Sequence, residues 1–360
     1  MRRAIAWAAA ATVLVAVPPV GDRPASAGTI VRVVVASCPS GPAQCWPTAF
    51  AFTPNGRKIF YVERFSGEVR VYNLDTGKDH KWATVGGLET GLGETGLLGI
   101  ALDPRWKKPK LRWVYLYFTK EDPFVNRIVR KRKAGGGIKT HKLVDIPAGG
   151  IHNGGTIGFG PGGKLFAVTG ETGKPALAQK KKNKAGKVLR MRKNGKRPSS
   201  NPIAMSLAYS YGHRNSFGFA FDPETGFLWQ TENGPECEDE INRIRAGKNY
   251  GWGGASSCPD TNDSGPNPIG PEHVYTPTIA PTGAAFCFGC KLGGAAEDDL
   301  FFGAWNDGKI RRLVLSDDRK RVLSEQVVFD NSSGILGVVA APDGRIYFSD
   351  RSGIYRLAQS

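Results

Sequence analysis

The stretch Tyr209–Trp252 gathers residue types that simple packing seldom needs together. His213, Arg214 and Asn215 stand just before an apolar run, Phe217–Phe221. An Asp-Pro-Glu-Thr-Gly turn follows, then a short strand expected over Phe227–Glu232 that ends in Asn-Gly-Pro. Gly234 and Pro235 stop regular sheet pairing there, one being permissive in φ and the other lacking an N–H. Backbone carbonyls of such a turn, with Glu238, Asp239 and Glu240 close behind, form an oxygen-rich set suited to a hard cation such as Ca²⁺. The competing reading is a surface turn between two strands with solvated acids.

Residues of this kind need a scaffold that brings distant loops together, and the sequence supplies one by repetition. An apolar lead-in, a Pro/Asp/Gly turn and an aromatic-rich strand recur at Ala49–Leu74, Gly99–Arg132, Thr156–Glu171, Gly218–Gly234 and Val338–Leu357. A weaker copy spans Glu297–Leu315. Helical periodicity is nearly absent. Each copy makes two or three strands whose apolar faces need neighbours, and closing six such sheets in a ring removes their open edges. The expected fold is all-β, a six-bladed β-propeller occupying residues 28–360 as one domain. The turns at Pro54, Pro104, Pro161, Pro223 and Pro342 are unevenly spaced, unlike an array of fixed period. Loops on one face of a propeller converge on its central channel. Glu94, His152-Asn153, Glu171 and His213-Arg214-Asn215 all fall just outside the repeated strands.

The rest of the composition bounds the location and partners. Arg2 and Arg3, an apolar run Ala4–Val17 and Ala25-Ser26-Ala27 make residues 1–27 a signal peptide cleaved near Ala27, pointing to a secreted, extracytoplasmic protein. That apolar run is too short to span a bilayer, and no later run is apolar enough for a transmembrane segment. The six cysteines suit an oxidising compartment. Neighbour pairing, Cys38/Cys45, Cys237/Cys258 and Cys287/Cys290, is the expectation, although spacing alone leaves connectivity open. The net charge of +17 favours anionic partners. No base-reading motif is present, and export argues against nucleic acid. Much of the charge lies between Lys174 and Arg197, a possible contact for an anionic cell-surface polymer or simply a solvated loop.

Taken in order, GLLGIALDP, GIHNGGTIGFGPGGKLFAVTGE, YGHRNSFGFAFDP and TENGP-x₃-DEINRI-x₂-GKNYGW resemble the soluble glucose/sorbosone dehydrogenases. The resemblance covers roughly Ala49 to Leu357 and is densest over His152–Trp252. It implies an exported propeller that uses pyrroloquinoline quinone (PQQ) and calcium to oxidise a sugar, passing electrons to an external acceptor. It implies that His152 is the general base, with Glu94 before the GLLG motif and Arg214 and Asn215 contacting the quinone. The Gly234 and Pro235 carbonyls would hold the catalytic Ca²⁺, and Glu240 and Tyr250 a second, structural one.

Some positions depart from the family pattern. Glu94 replaces a Gln, and Ile151 replaces an acid before the base. Asn306, Gly334 and Leu336 stand where Lys and Arg meet the carboxylates of the cofactor, leaving Lys309, Arg311 or Arg312 as substitutes to be considered. Loss of those cations is what a non-catalytic, calcium-stabilised propeller binding cell-surface glycan or protein would show. A metal-dependent hydrolase or lactonase on the same fold is the third reading, without the clustered Asp/Glu/Asn set it needs.

Overall fold

The computed structural model describes residues 29–41 and 43–360. The signal peptide expected at 1–27 therefore lies outside the described residues. Six four-stranded antiparallel sheets follow one another along the chain. Their inner strands are Ala49–Phe52, Leu97–Leu102, Ile157–Phe159, Ser216–Phe221, Pro281–Phe286 and Val338–Ala340, which define blades 1 to 6. In blades 1 to 5 the chain meanders outward from strand to strand. Blade 6 borrows its outer strand from the start of the domain: Ile30–Ser37 pairs antiparallel with Gly353–Gln359, which closes the ring. The expected six-bladed propeller is the fold observed. Among the described residues no helix is long and apolar enough to cross a membrane, and the only α-helix is the four-residue Ala176–Gln179.

The core is divided into six slabs, each shared by two neighbouring blades. Phe60, Val62 and Val69 of blade 1 pack on Leu97, Ile100 and Leu116 of blade 2. Tyr117 and Ile128 of blade 2 pack on Ile157, Leu165 and Leu189 of blade 3, and the pattern repeats round the ring. Each fully buried Leu, Ile, Val or Phe contributes about 1.5–3 kcal/mol, so blade–blade contact is the main adhesive of the ring. Inner strands approach so closely that a Cβ on Gly99 would lie 2.1 Å from the Gly155 carbonyl oxygen of the next blade, a contact no other residue fits.

Two of the repeated turns also pin blades by charge. Asp103, buried at the end of the blade 2 inner strand, accepts from Lys193 of blade 3 at 2.7 Å and from Arg105. Asp222, at the same place in blade 4, is paired with Arg319 of blade 5 at 2.8 Å. Bonds from these cations hold both carboxyls below the ordinary carboxylate range, against the opposing effect of burial.

Blade 5 departs from the repeat anticipated. Its inner strand is Pro281–Phe286, upstream of the weak copy at Glu297–Leu315, and no Pro turn follows it. The Cys287–Cys290 disulfide and a short 3₁₀ turn, Gly294–Ala296, make the connection instead. The neighbour pairing expected for all six cysteines is observed. Cys287, Cys290 and Glu297 lie within 4.8 Å in their ligand atoms, but both sulfurs are spent in the disulfide.

The basic run Lys174–Arg197 is not one loop. The strand Lys187–Met191 divides it, so Lys180–Lys184 lie on one face of the ring and Arg192–Arg197 on the other. Lys187 itself is fully buried, its Nζ donating to the carbonyls of Leu177, Ala178 and Ala185 at 2.9, 2.7 and 2.6 Å. The single anionic-polymer contact anticipated there has no continuous surface to form on.

Candidate active site

In an outward meander, one face of the ring carries the segments entering each inner strand and the connections from second to third strand. His152, Glu94, Arg214-Asn215, Gly234-Pro235 and Glu171 all belong to those segments. The fold therefore gathers residues from blades 2, 3 and 4 on one face of the ring.

His152 enters blade 3 with φ of 54°, a left-handed conformation uncommon for a residue with a side chain and often found at functional sites. Its turn is over-determined. The Thr172 N–H donates to the His152 carbonyl at 3.0 Å. That carbonyl sits so near Gly170 that a Cβ there would be 2.1 Å away. Asn153, fully buried, bonds Gly149 on both its amide groups and accepts from Asn126 at 2.8 Å, bracing the turn. The His152 Nδ1 is hydrogen-bonded to Glu171 Oε1, and Glu171 is 1% exposed. With Nδ1–H given to that carboxylate, Nε2 keeps its lone pair, and it has no partner among the described residues.

Arg214 lies with its guanidinium over the Trp252 ring, 5.3 Å from the centroid, and donates to the Asn233 carbonyl at 2.9 Å. Its Nε is buried with no partner. Burial lowers the guanidinium's pKa, while the nearby carboxylates of Glu171, Glu232, Glu94 and Asp239 favour its charged form. Asn215 is buried, and its amide donates to Glu94 Oε2 at 3.1 Å, leaving its own Oδ1 unpartnered. Glu94 also accepts from the Asn153 N–H at 3.3 Å. It thus ties the turn of blade 3 to that of blade 4. His213 sits beneath, fully buried, between Glu232 at 2.7 Å and Ser210 at 2.8 Å, with its ring stacked on Tyr250. That Ser–His–Glu chain has no solvent access, and Glu232 uses its second oxygen to hold the Arg214 N–H.

The oxygen donors fit calcium. The carbonyls of Gly234 and Pro235 accept no hydrogen bond among the described residues. Asp239 shapes their turn, accepting from the N–H groups of Gly234, Ile279 and Ala280 at 2.8, 2.6 and 2.6 Å. Deeper, Glu240 is 4% exposed, and burial together with the Glu232 charge raises its pKa. Beside it the Oδ1 of Asn242 is buried without a partner. A cation there would relieve both. Tyr250 can offer only its main-chain carbonyl, because its hydroxyl donates to the Arg243 carbonyl and accepts the Arg245 N–H.

Glu171, Glu232 and Asp239 thus hold the site together, although the sequence marked Glu171 and Asp239 only as acids nearby, without a role, and did not single out Glu232. The first two did leave a signal, each an acid at the exit of a second strand. The channel itself holds a cavity of about 590 Å³ running from Thr48, Thr156 and Leu336 to Pro54, Pro104, Pro223 and Pro342 at the opposite face. Its lining is mainly apolar, with Thr48, Thr156 and Asp103 the polar side chains, so the chemistry belongs to the loops and not to the channel.

Comparison with known proteins finds relatives that match most of the chain. A family described as Glucose / Sorbosone dehydrogenase matches residues 45–356. Aldose sugar dehydrogenase YliI of Escherichia coli K12 is 28% identical over 327 residues, covering 84% of this chain and 86% of that protein. Quinoprotein glucose dehydrogenase B of Acinetobacter calcoaceticus is 31% identical over 254 residues, covering 61% of this chain and 52% of that protein. The PQQ-bound structure of aldose sugar dehydrogenase from Streptomyces coelicolor matches at a TM-score of 0.77 and 28% identity, over 92% of this chain and 98% of that one. A glucose dehydrogenase crystal structure matches at a TM-score of 0.79 and 26% identity, over 92% and 99%.

Proposed function

The chain belongs to the glucose/sorbosone dehydrogenase family, a sugar dehydrogenase of the PQQ-type propeller class, and from that premise we propose a secreted, calcium-requiring enzyme that oxidises an aldose or related sugar. His152 is its general base. The observation that carries this reading is the His152–Glu171 pair: a strained turn presents an imidazole whose Nδ1 is fixed by a buried carboxylate and whose Nε2 is free.

His152 Nε2 takes the proton from the sugar's anomeric hydroxyl, and Glu171 stabilises the imidazolium that results. Bound PQQ supplies a two-electron acceptor for the hydride from the same carbon. Arg214, with its unpartnered buried Nε, and Asn215, oriented by Glu94, stand by the quinone oxygens to offset developing negative charge. The free carbonyls of Gly234 and Pro235 would hold the catalytic Ca²⁺, and Glu240 with the Tyr250 carbonyl would hold the structural one.

Titration of the purified protein with PQQ and Ca²⁺, followed by absorbance, tests the reading. Stoichiometric binding and bleaching of the oxidised quinone by aldoses are expected. Absence of binding at micromolar cofactor would remove the enzyme assignment and leave a calcium-held binding propeller.

A further inference from the structure

Pyrroloquinoline quinone is a planar tricarboxylate, and this chain lacks cations at the positions where its family resemblance places them. Asn306 donates its amide to the Thr278 carbonyl at 3.2 Å, Gly334 lies under the Trp305 ring, and Leu336 is buried against the channel. Two of the three substitutes considered from sequence, Arg311 and Arg312, are already engaged. Arg311 is held by Asp307 and Glu325, and Arg312 by Asp299 and the Ala295 carbonyl.

A different pair of guanidinium groups stands on the site face without a carboxylate partner. Arg351, in the connection between the second and third strands of blade 6, lies 4.7 Å from the ring centroids of both Trp46 and Trp305. The two indoles are in contact, with centroids 5.3 Å apart. Arg351 is exposed and makes no salt bridge among the described residues. Arg64 of blade 1 packs on the same Trp46 ring and on Phe65, at 5.3 and 4.7 Å, and is buried. It donates to the carbonyls of Thr95 and Gly93, the residues flanking Glu94, so the pair adjoins the quinone-contacting group already described. Segment ends fix this cluster: the Arg64 N–H donates to the Cys45 carbonyl at 2.6 Å, and the Cys38 N–H to the Ser352 carbonyl at 3.0 Å.

We propose that Arg351, seated on Trp46 and Trp305 and backed by Arg64, binds a carboxylate of the cofactor in place of the cations missing at Asn306, Gly334 and Leu336. The proposal rests on the quinone reading above. A guanidinium fork matches a carboxylate with two parallel hydrogen bonds, and its seat on indole rings leaves that fork pre-oriented. The indoles also offer a flat apolar surface to a planar aromatic ligand.

Quenching of tryptophan fluorescence, with Ca²⁺ present, measures affinity without reference to turnover. Arg351→Gln should weaken PQQ binding about 10- to 100-fold, the loss expected for a charged hydrogen-bonded pair. Arg351→Lys should fall between, because it keeps charge but not the fork. The trimethyl ester of PQQ, lacking the carboxylates, should bind the unaltered protein and Arg351→Gln equally and more weakly than the free acid. Since Arg351 is exposed, an unchanged melting temperature will show that the variant is folded. Unchanged PQQ affinity in a folded Arg351→Gln would overturn the carboxylate clamp while leaving the dehydrogenase reading standing. Equal affinity of the unaltered protein for acid and ester would do the same. No binding of PQQ by the unaltered protein would overturn both.

Discussion

Glu171 Oε1 holds Nδ1 of His152 across a turn in which His152 and Thr172 both have positive φ, at 54° and 64°. Under the base role proposed for His152, the pair would divide catalysis into a part that moves a proton and a part that fixes its direction, and the two are separable by mutation. His152→Ala should lower kcat by about 10²- to 10⁴-fold while PQQ affinity and melting temperature change little. Glu171→Gln keeps an acceptor for Nδ1–H but removes the charge facing the imidazolium, so a smaller loss confined to kcat is expected. Steady-state kinetics with a fluorescence-measured cofactor affinity checks both; undiminished turnover in His152→Ala removes the base assignment.

Calcium bound only by the folded ring adds stability by mass action, about 2.7 kcal/mol at a concentration 100 times its Kd. Chelation should therefore lower the melting temperature by several degrees, and returning Ca²⁺ should restore it. Glu240→Gln should reduce that response. A thermal scan that ignores both chelator and Ca²⁺ would eliminate the proposed sites.

The Asp103 and Asp222 carboxyls have folded-state pKa values below those of the unfolded chain. Their contribution is present above the unfolded value near 4 and is lost as pH falls through the lower folded values. The ring should thus lose stability as the medium is taken below about pH 4. Asp222→Ala, which strands Arg319 (8% exposed side chain) without its partner, should cost about 3 kcal/mol at neutral pH and flatten this acid response. Urea unfolding across pH measures each quantity.

Lys187 is a buried ammonium with three carbonyl acceptors, one for each N–H. Burial pushes its pKa down to about 7, and the three carbonyl acceptors oppose this, because only the ammonium form offers three donors. Lys187→Met preserves the apolar stem and strands the acceptors, so it should destabilise by about 3 kcal/mol. Limited proteolysis should then cut first within 174–186. Unaltered urea stability would show that the carbonyls find other partners.

The propeller was legible because five of its six inner strands are short apolar runs that lead into a Pro turn, at Pro54, Pro104, Pro161, Pro223 and Pro342. Blade 5 was misplaced for the same reason: its strand Pro281–Phe286 is rich in small residues and ends in a disulfide where the others end in Pro. His152, Arg214 and Gly234 stood out through motif order. The roles of Glu171 and Asp239 were not legible because they lie in what each touches, 19 residues away for His152 and 40 and 41 away for Ile279 and Ala280. Trp46, Trp305 and Arg351 were silent in the sequence, since only ring closure makes them neighbours.

That closure has a temporal side. Ile30 pairs with Gln359 and Ser37 with Gly353, so the last blade is complete only when both ends of the domain are available. Arg351 meets Trp46 only in the finished ring. A chain leaving the ribosome or a translocation channel can form its early hairpins, yet it cannot assemble the aromatic seat of Arg351 until nearly its last residues emerge. The proposed clamp on the cofactor would therefore exist only once the strand Gly353–Gln359 has paired with Ile30–Ser37.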